Sequence, residues 1–175
     1  MTTDSVLDAE KHKMLIADLP NICQQSGVPA AYIHQSMRSF CTPLECDWVI
    51  NYHQMSKTGK CGLVLLGDSI ETRCLAISGA LIRNYIDARV VTLQNVIDYD
   101  IHPTVLVIPN FFVAAIDCKP HPTWKVDQVY GILLERMSTG HPTILGISDL
   151  KGLEMVYGSS LYKHVRENYM FSKVG

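Results

Sequence analysis

The sequence predicts an α/β protein, a three-layer fold in which helices flank a parallel sheet of four or five strands. Four short, continuously apolar segments are bounded by glycine, proline or polar residues, which is typical of strands buried on both faces. Segments with helical periodicity separate them, as the crossover between parallel strands requires. A chain of 175 residues suits one compact domain with a single sizeable core.

The elements follow from these patterns in order. Strands are predicted over residues 62–66, 88–93, 104–109 and 142–147, and helices over 71–86, 123–137, 150–157 and 159–169. Residues 1–55 precede the first strand and are predicted as a helical lead-in to the core at 56–175, with helices over 5–25, 29–39 and 43–55. Ser26-Gly27 ends the first of these helices, and Thr42-Pro43 begins the last.

Composition excludes several classes of protein. Hydrophobic residues make up 47% of the chain and charged residues only 18%, so it is not disordered, and a partner is expected to cover part of its apolar surface. A net charge of −2 argues against strong nonspecific nucleic-acid binding. Because the chain has neither an apolar run of about 18 residues nor a signal peptide, we expect no membrane contact and a cytoplasmic location.

The cysteines are predicted to be reduced thiols, because no secretion signal accompanies them. Cys41, Cys46, His53 and Cys61 lie within about 20 residues and have residue types that can bind zinc. They contain no CxxC pair, so buried thiols are favoured and no metal site is predicted.

The loop after the first strand lies where a phosphate-binding loop, G-x-x-x-x-G-K-[ST], would stand between a strand and a helix. The residues there are Gly67, Asp68, Ser69, Ile70, Glu71, Thr72, Arg73 and Cys74. Only the first glycine is kept, Arg73 replaces the lysine, and Cys74 is a poor ligand for Mg²⁺. Upstream, the segment 58–61 (TGKC) resembles the end of such a loop, but it precedes the strand and is not expected to bind phosphate in that manner.

The third strand also lacks the acidic residues that an ATPase has at its end. An ATPase strand here would end in acidic residues that coordinate Mg²⁺, whereas this one ends in Pro109-Asn110, with no carboxylate before Asp117. The two losses together predict an inactive nucleotide site with no cofactor. Phe111 and Phe112 follow, and either fill the emptied pocket from inside or form an exposed partner contact.

The chain resembles one family from about residue 26 to 166. Residues 26–32 (SGVPAAY) with Phe40, 62–67 (GLVLLG), 142–150 (PTILGISDL) and 157–165 (YGSSLYKHV) are similar to segments in the AAA+ domain of bacterial and phage helicase loaders of the DnaC/DnaI type and of IstB-like transposition helpers. The resemblance implies a P-loop NTPase core. It places Ser148 and Asp149 at the sensor position and His164 where the family has its arginine finger, so the finger is expected to be lost.

The function predicted from these observations is a pseudo-ATPase of phage or mobile-element type. It would contact a helicase, a helicase loader or another replication or recombination protein, and would be a monomer or homodimer instead of a nucleotide-driven hexamer. One alternative is an active NTPase loader in which Arg73 replaces the lysine and Asp117 or Asp149 supplies the carboxylate. Another is a single-stranded DNA-binding accessory. Its basic face would contain Lys57, Lys60, Lys119, Lys125 and Arg136. A thiol or metal protein is the last alternative.

Overall fold

The computed structural model describes residues 4–55, 59–98 and 102–173. Its helices are α1 (Asp4–Ala17), α2 (Leu19–Ser26), α3 (Ala30–His34), α4 (Pro43–Ile50), α5 (Tyr52–Met55), α6 (Ile70–Arg83), α7 (Leu93–Asp98), α8 (Thr123–Ser138) and α9 (Leu150–Asn168), with a 3₁₀ turn at Met37–Ser39. Its strands are β1 (Gly62–Leu66), β2 (Ala88–Val90), β3 (Val105–Phe112), β4 (Thr143–Ile147) and β5 (Tyr169–Lys173). None of the described helices combines the length and the apolar character that crossing a bilayer requires.

The strands form one parallel sheet in the order β2-β3-β4-β1-β5. Side chains alternate between the two faces of the sheet. Leu63 and Leu65 of β1 face a cluster that contains α6, whereas Val64 faces the cluster formed with α8 and α9. The predicted sheet, buried on both faces between helices, is confirmed.

The helical lead-in packs into the core instead of lying beside it. Ile33 and Trp48 are fully buried in the same cluster as the inner residues of β1. Gly79 of α6 lies against the backbone of α3, where an added Cβ would come within 2.2 Å of the Tyr32 carbonyl oxygen. The lead-in therefore covers one face of the sheet together with α6.

Several boundaries differ from the prediction. The first helix is interrupted at Asp18, and the helix predicted over 43–55 at Asn51. The break predicted between the last two helices is present at Gly158, whose φ is 80°, although both helices form the continuous element α9. Strand β2 ends early because Thr92 accepts a hydrogen bond from the Asn95 N–H and leads into α7.

Two strand predictions also need correction. Strand β3 continues three residues past Pro109, with a register shift against β4 between Ile108 and Phe112. The last predicted helix stops at Asn168, and the chain then forms β5 on the outer side of β1.

Candidate functional site

The connection after β1 is too short to form a phosphate-binding loop of the family pattern. Helix α6 begins at Ile70, so only residues 67–69 link it to the strand, with φ of 94° at Gly67 and 54° at Ser69. The Arg73 N–H already donates to the Ser69 carbonyl oxygen at 3.0 Å, as in regular helix. Residues 70–74, which would wrap and hold phosphates in an intact motif, therefore form the first turns of α6.

Arg73 turns inward from this helix and is 1% exposed. Its guanidinium forms an ion pair with Glu45 of α4, which is 0% exposed, and Nη1 donates to the Leu66 carbonyl oxygen at 2.9 Å. A second acceptor is the Oγ of Ser172 in β5, at 3.3 Å. Arg73 thus ties the end of β1 to α4 and β5.

Hydrogen bonds hold Glu45 in its ionised form. Burial alone raises the pKa of its carboxyl, but hydrogen bonds from Arg73, from the Ser172 hydroxyl and from the Thr42 N–H outweigh burial and leave that pKa below its ordinary value. The Ser172 Oγ donates to Glu45 at 2.6 Å, and the Thr42 N–H donates at 3.0 Å. The pair is therefore a fully partnered internal charge network.

Cys74 and Ile70 fill the remaining space around the degraded loop. Cys74 is fully buried, and burial raises the pKa of its thiol. At Gly146 of β4, an added Cβ would come within 2.5 Å of the Ile70 Cγ2 atom and 1.8 Å of the Pro109 carbonyl oxygen. An apolar side chain thus lies against the carboxyl ends of β3 and β4, where an α/β sheet has its ligand crevice.

The end of β3 places two aromatic rings inside the protein. Phe111 and Phe112 are each 1% exposed, so the prediction that they form an exposed partner contact is wrong. Phe111 stacks on Tyr157 with ring centroids 5.2 Å apart, and the Tyr157 hydroxyl donates to the Phe111 carbonyl oxygen at 3.1 Å. Asn110 between Pro109 and the rings is exposed.

The sensor-like residues have structural partners. The Ser148 Oγ accepts a hydrogen bond from the Ala114 N–H at 2.8 Å, which joins the exits of β3 and β4. Asp149 caps α9 by accepting from the Gly152 N–H at 2.7 Å. Asp117 accepts from the Val113 N–H at 2.9 Å. The two carboxylates proposed for an active enzyme therefore both hold backbone in place.

His164 lies inside the protein, at 5% exposure. Its ring makes edge contacts with Tyr130 and Tyr169, and burial lowers the pKa of its imidazole. The neighbouring Lys163 is exposed and lies 3.9 Å from Glu167. The His164 side chain is therefore part of the interior packing.

The basic residues proposed for a DNA-binding face do not share one surface. Lys60 precedes β1 at the amino end of the sheet, whereas Lys119 in the loop after β3 and Lys125 in the first turn of α8 lie at the opposite end. Arg136 is buried, and Lys57 lies outside the described residues. The prediction of one basic face is wrong for the four residues that the structure describes.

The zinc hypothesis finds no support among the described residues. No group of three or more His, Cys, Asp or Glu side chains there is arranged to hold a metal ion. Burial raises the pKa of the Cys41 thiol to about 12, with the nearby Glu45 carboxylate adding to the shift. The side chain of His53 lies outside the part of the chain that is described.

Sequence reasoning missed Glu45 and Ser172 as the partners of Arg73. Thr42-Pro43-Leu44-Glu45 has the capping-box spacing, and the structure forms that box at the start of α4. The motif predicts the helix start but not an ion pair 28 positions along the chain. Only the folded sheet brings Ser172, 99 positions from Arg73, to the same place.

The strand order, the parallel sheet and the helices on both faces define a three-layer α/β fold. Among solved structures, the crystal structure of DnaI is similar, with a TM-score of 0.56 and 15% sequence identity, covering 86% of this chain and 96% of that chain. No protein-family model matches the sequence. No curated protein sequence matches it either.

Proposed function

We propose that this protein is a catalytically inactive AAA+-like module that works through protein contacts in DNA replication or recombination. Its partner would be a helicase, a helicase loader or another replication protein. The structural similarity to DnaI supports the replication setting. The observation that carries the proposal is the burial of Arg73 in its ion pair with Glu45, because it removes the one cation that the degraded loop retains.

The energetics of that pair oppose nucleotide binding. To reach a phosphate, Arg73 would have to leave Glu45 without its counter-charge and withdraw its hydrogen bond from the Leu66 carbonyl oxygen. Breaking a buried pair by removing one partner costs about 3–5 kcal/mol. The short connection at residues 67–69 offers no wrapping loop to offset that cost. An active NTPase built on Arg73 would therefore require rebuilding of α4, α6 and β5.

The proposed partner surface lies at the same carboxyl end of the sheet. Ile116, in the loop after β3, is 77% exposed, and Trp124, in the first turn of α8, is 64% exposed. Asp68, Ser69 and Glu71 are exposed beside the degraded loop. Exposed large apolar side chains ringed by polar ones are typical of protein contacts. Because position 164 offers no finger, we propose a monomer or a homodimer over a nucleotide-driven ring.

Millimolar ATP or ADP with Mg²⁺ is expected to leave the melting temperature unchanged. A ligand that binds only the folded state raises the melting temperature. For a chain of this size, 5 mM nucleotide with a Kd of about 100 μM would raise the melting temperature by about 5 °C or more. Differential scanning calorimetry with and without nucleotide measures this. A Mg²⁺-dependent shift of that size would contradict the proposal, and an intact loader of the DnaI type serves as the positive control.

Replacing Ile116 with aspartate is expected to weaken binding to the partner at least about tenfold, as loss of an apolar contact residue does. Isothermal titration against the purified replicative helicase and loader of the same source would measure the Kd. Ile50→Asp is the matched control, because Ile50 is 67% exposed and lies on α4, a different element from the loop after β3. Equal Kd values for both variants would remove the carboxyl-end surface from the proposal.

A further inference from the structure

A cavity lies at the amino end of the sheet, at the opposite end from residues 67–74. Its volume is about 240 Å³, many times the roughly 10–15 Å³ that one water needs. It lies where β1 and β4 begin and α8 ends. The lining residues are Gly59, Lys60, Cys61, Arg136, Met137, Gly140, His141 and Pro142.

Arg136 gives this cavity a buried positive charge. It is 4% exposed, and no carboxylate of the described residues pairs with it. Its Nε donates to the Thr143 hydroxyl at 3.1 Å, and Nη2 donates to the Pro103 and Pro142 carbonyl oxygens at 3.0 and 3.1 Å. Nη1 is buried with no partner in the described structure, so two N–H donors of a cation are unused.

The other polar side chains of the cavity are basic or neutral. Lys60 uses one ammonium N–H on the Glu167 carbonyl oxygen and retains two donors. The His141 ring lies 3.1 Å from the Thr139 hydroxyl through Nδ1. Among the residues that the structure describes, no acidic side chain lines the cavity. At Gly59 and Gly140, no atom of the described part of the chain lies within 4 Å of the position of an added Cβ.

We propose that this cavity binds the phosphate group of a small molecule, either inorganic phosphate or a phosphate monoester. Two basic side chains, Lys60 and His141, beside a guanidinium that pairs with no carboxylate of the described residues favour a doubly charged oxyanion over a carboxylate. The binding uses side chains, not the backbone loop that the TGKC segment superficially resembles. It requires no Mg²⁺, so it is independent of the nucleotide site and of the proposed function.

Titration of the full chain with inorganic phosphate at constant ionic strength, without Mg²⁺, tests the site by calorimetry. We expect one saturable site with a millimolar Kd, and Lys60→Gln is expected to weaken it about tenfold through loss of one charge-assisted contact. Lys151→Gln, on an exposed residue at the start of α9, is the control and should bind like the wild type. Calorimetry avoids the general stabilisation that phosphate gives by exclusion from protein surfaces.

Titrations with further ligands distinguish a phosphate monoester from the free phosphate ion. Glycerol 3-phosphate binding more tightly than inorganic phosphate would assign the site to a phosphate monoester, and the reverse order would assign it to the free ion. Absence of saturation up to 20 mM phosphate, or equal binding of acetate, would overturn the proposal. Should Lys60→Gln lower the melting temperature, His141→Gln provides a second variant with the same expected direction, because its ring is exposed.

Discussion

Glu45→Ala is expected to lower the free energy of unfolding by about 3–5 kcal/mol, because it leaves the buried Arg73 guanidinium without its counter-charge. The loss would also remove the acceptor of the Ser172 hydroxyl and the capping-box contact to Thr42. Urea denaturation followed by circular dichroism measures the change. An effect this large is expected because the pair joins three elements, α4, α6 and β5.

Two controls separate the buried pair from charge in general. Arg89→Ala breaks the exposed pair with Asp87 and is expected to cost less than about 1 kcal/mol. The double variant Glu45→Met/Arg73→Met should be less destabilised than the sum of its single variants, since neither charge is left buried alone. Strictly additive losses would show that the two side chains do not interact as the structure places them.

The same carboxylate is expected to make stability depend on pH under acidic conditions. The pKa of the Glu45 carboxyl is lower in the folded chain than in the unfolded chain, where it is about 4.3. The stabilising contribution of the ionised carboxylate is therefore fully present above that value. The contribution is lost as the pH falls through the lowered folded pKa. Glu45→Gln should flatten the stability profile below about pH 4.3 relative to the wild type, and an unchanged slope would contradict the assignment.

Four of the five strands were predictable because each of them carries its own local signal. Residues 62–66 and 142–147 are continuously apolar and bounded by turn residues, and both form strands as predicted or within one residue. Strand β5 has the mixed sequence YMFSK, and its pairing with β1 depends on partners more than 100 residues away. Local patterns predict elements, whereas edge strands of this kind are determined by tertiary contacts.

The candidate site was predictable only in part, for the same reason. The sequence shows which motif residues are missing at positions 67–74, but not where Arg73 points. The sequence also leaves two alternatives for Phe111 and Phe112, since an apolar pair at the end of a strand can be buried in the core or exposed as a contact for a partner protein. Burial against Tyr157 and Gly152 decides between them, and both partners lie more than 30 positions away.

Gly79→Ala is expected to lower the free energy of unfolding by about 3 kcal/mol, although alanine is the better helix former. The added Cβ would lie 2.2 Å from the Tyr32 carbonyl oxygen and 2.6 Å from its carbon, which are backbone atoms that cannot rotate away. Helix α3 must therefore shift away from α6. Thermal and urea denaturation measure the loss, and Trp48 fluorescence in a Trp124→Phe background reports whether the lead-in loosens.

Gly131→Ala is the matched control in α8, where no atom lies within 4 Å of the position of the new Cβ. At that position only the higher helix propensity of alanine acts, and it should raise the free energy of unfolding by about 0.5–1 kcal/mol. Opposite signs at two helical glycines would show that the close contact with Tyr32 determines the response at position 79. Stabilisation at both positions would instead mean that α3 does not pack against α6, and the lead-in would then be separable from the sheet that it covers.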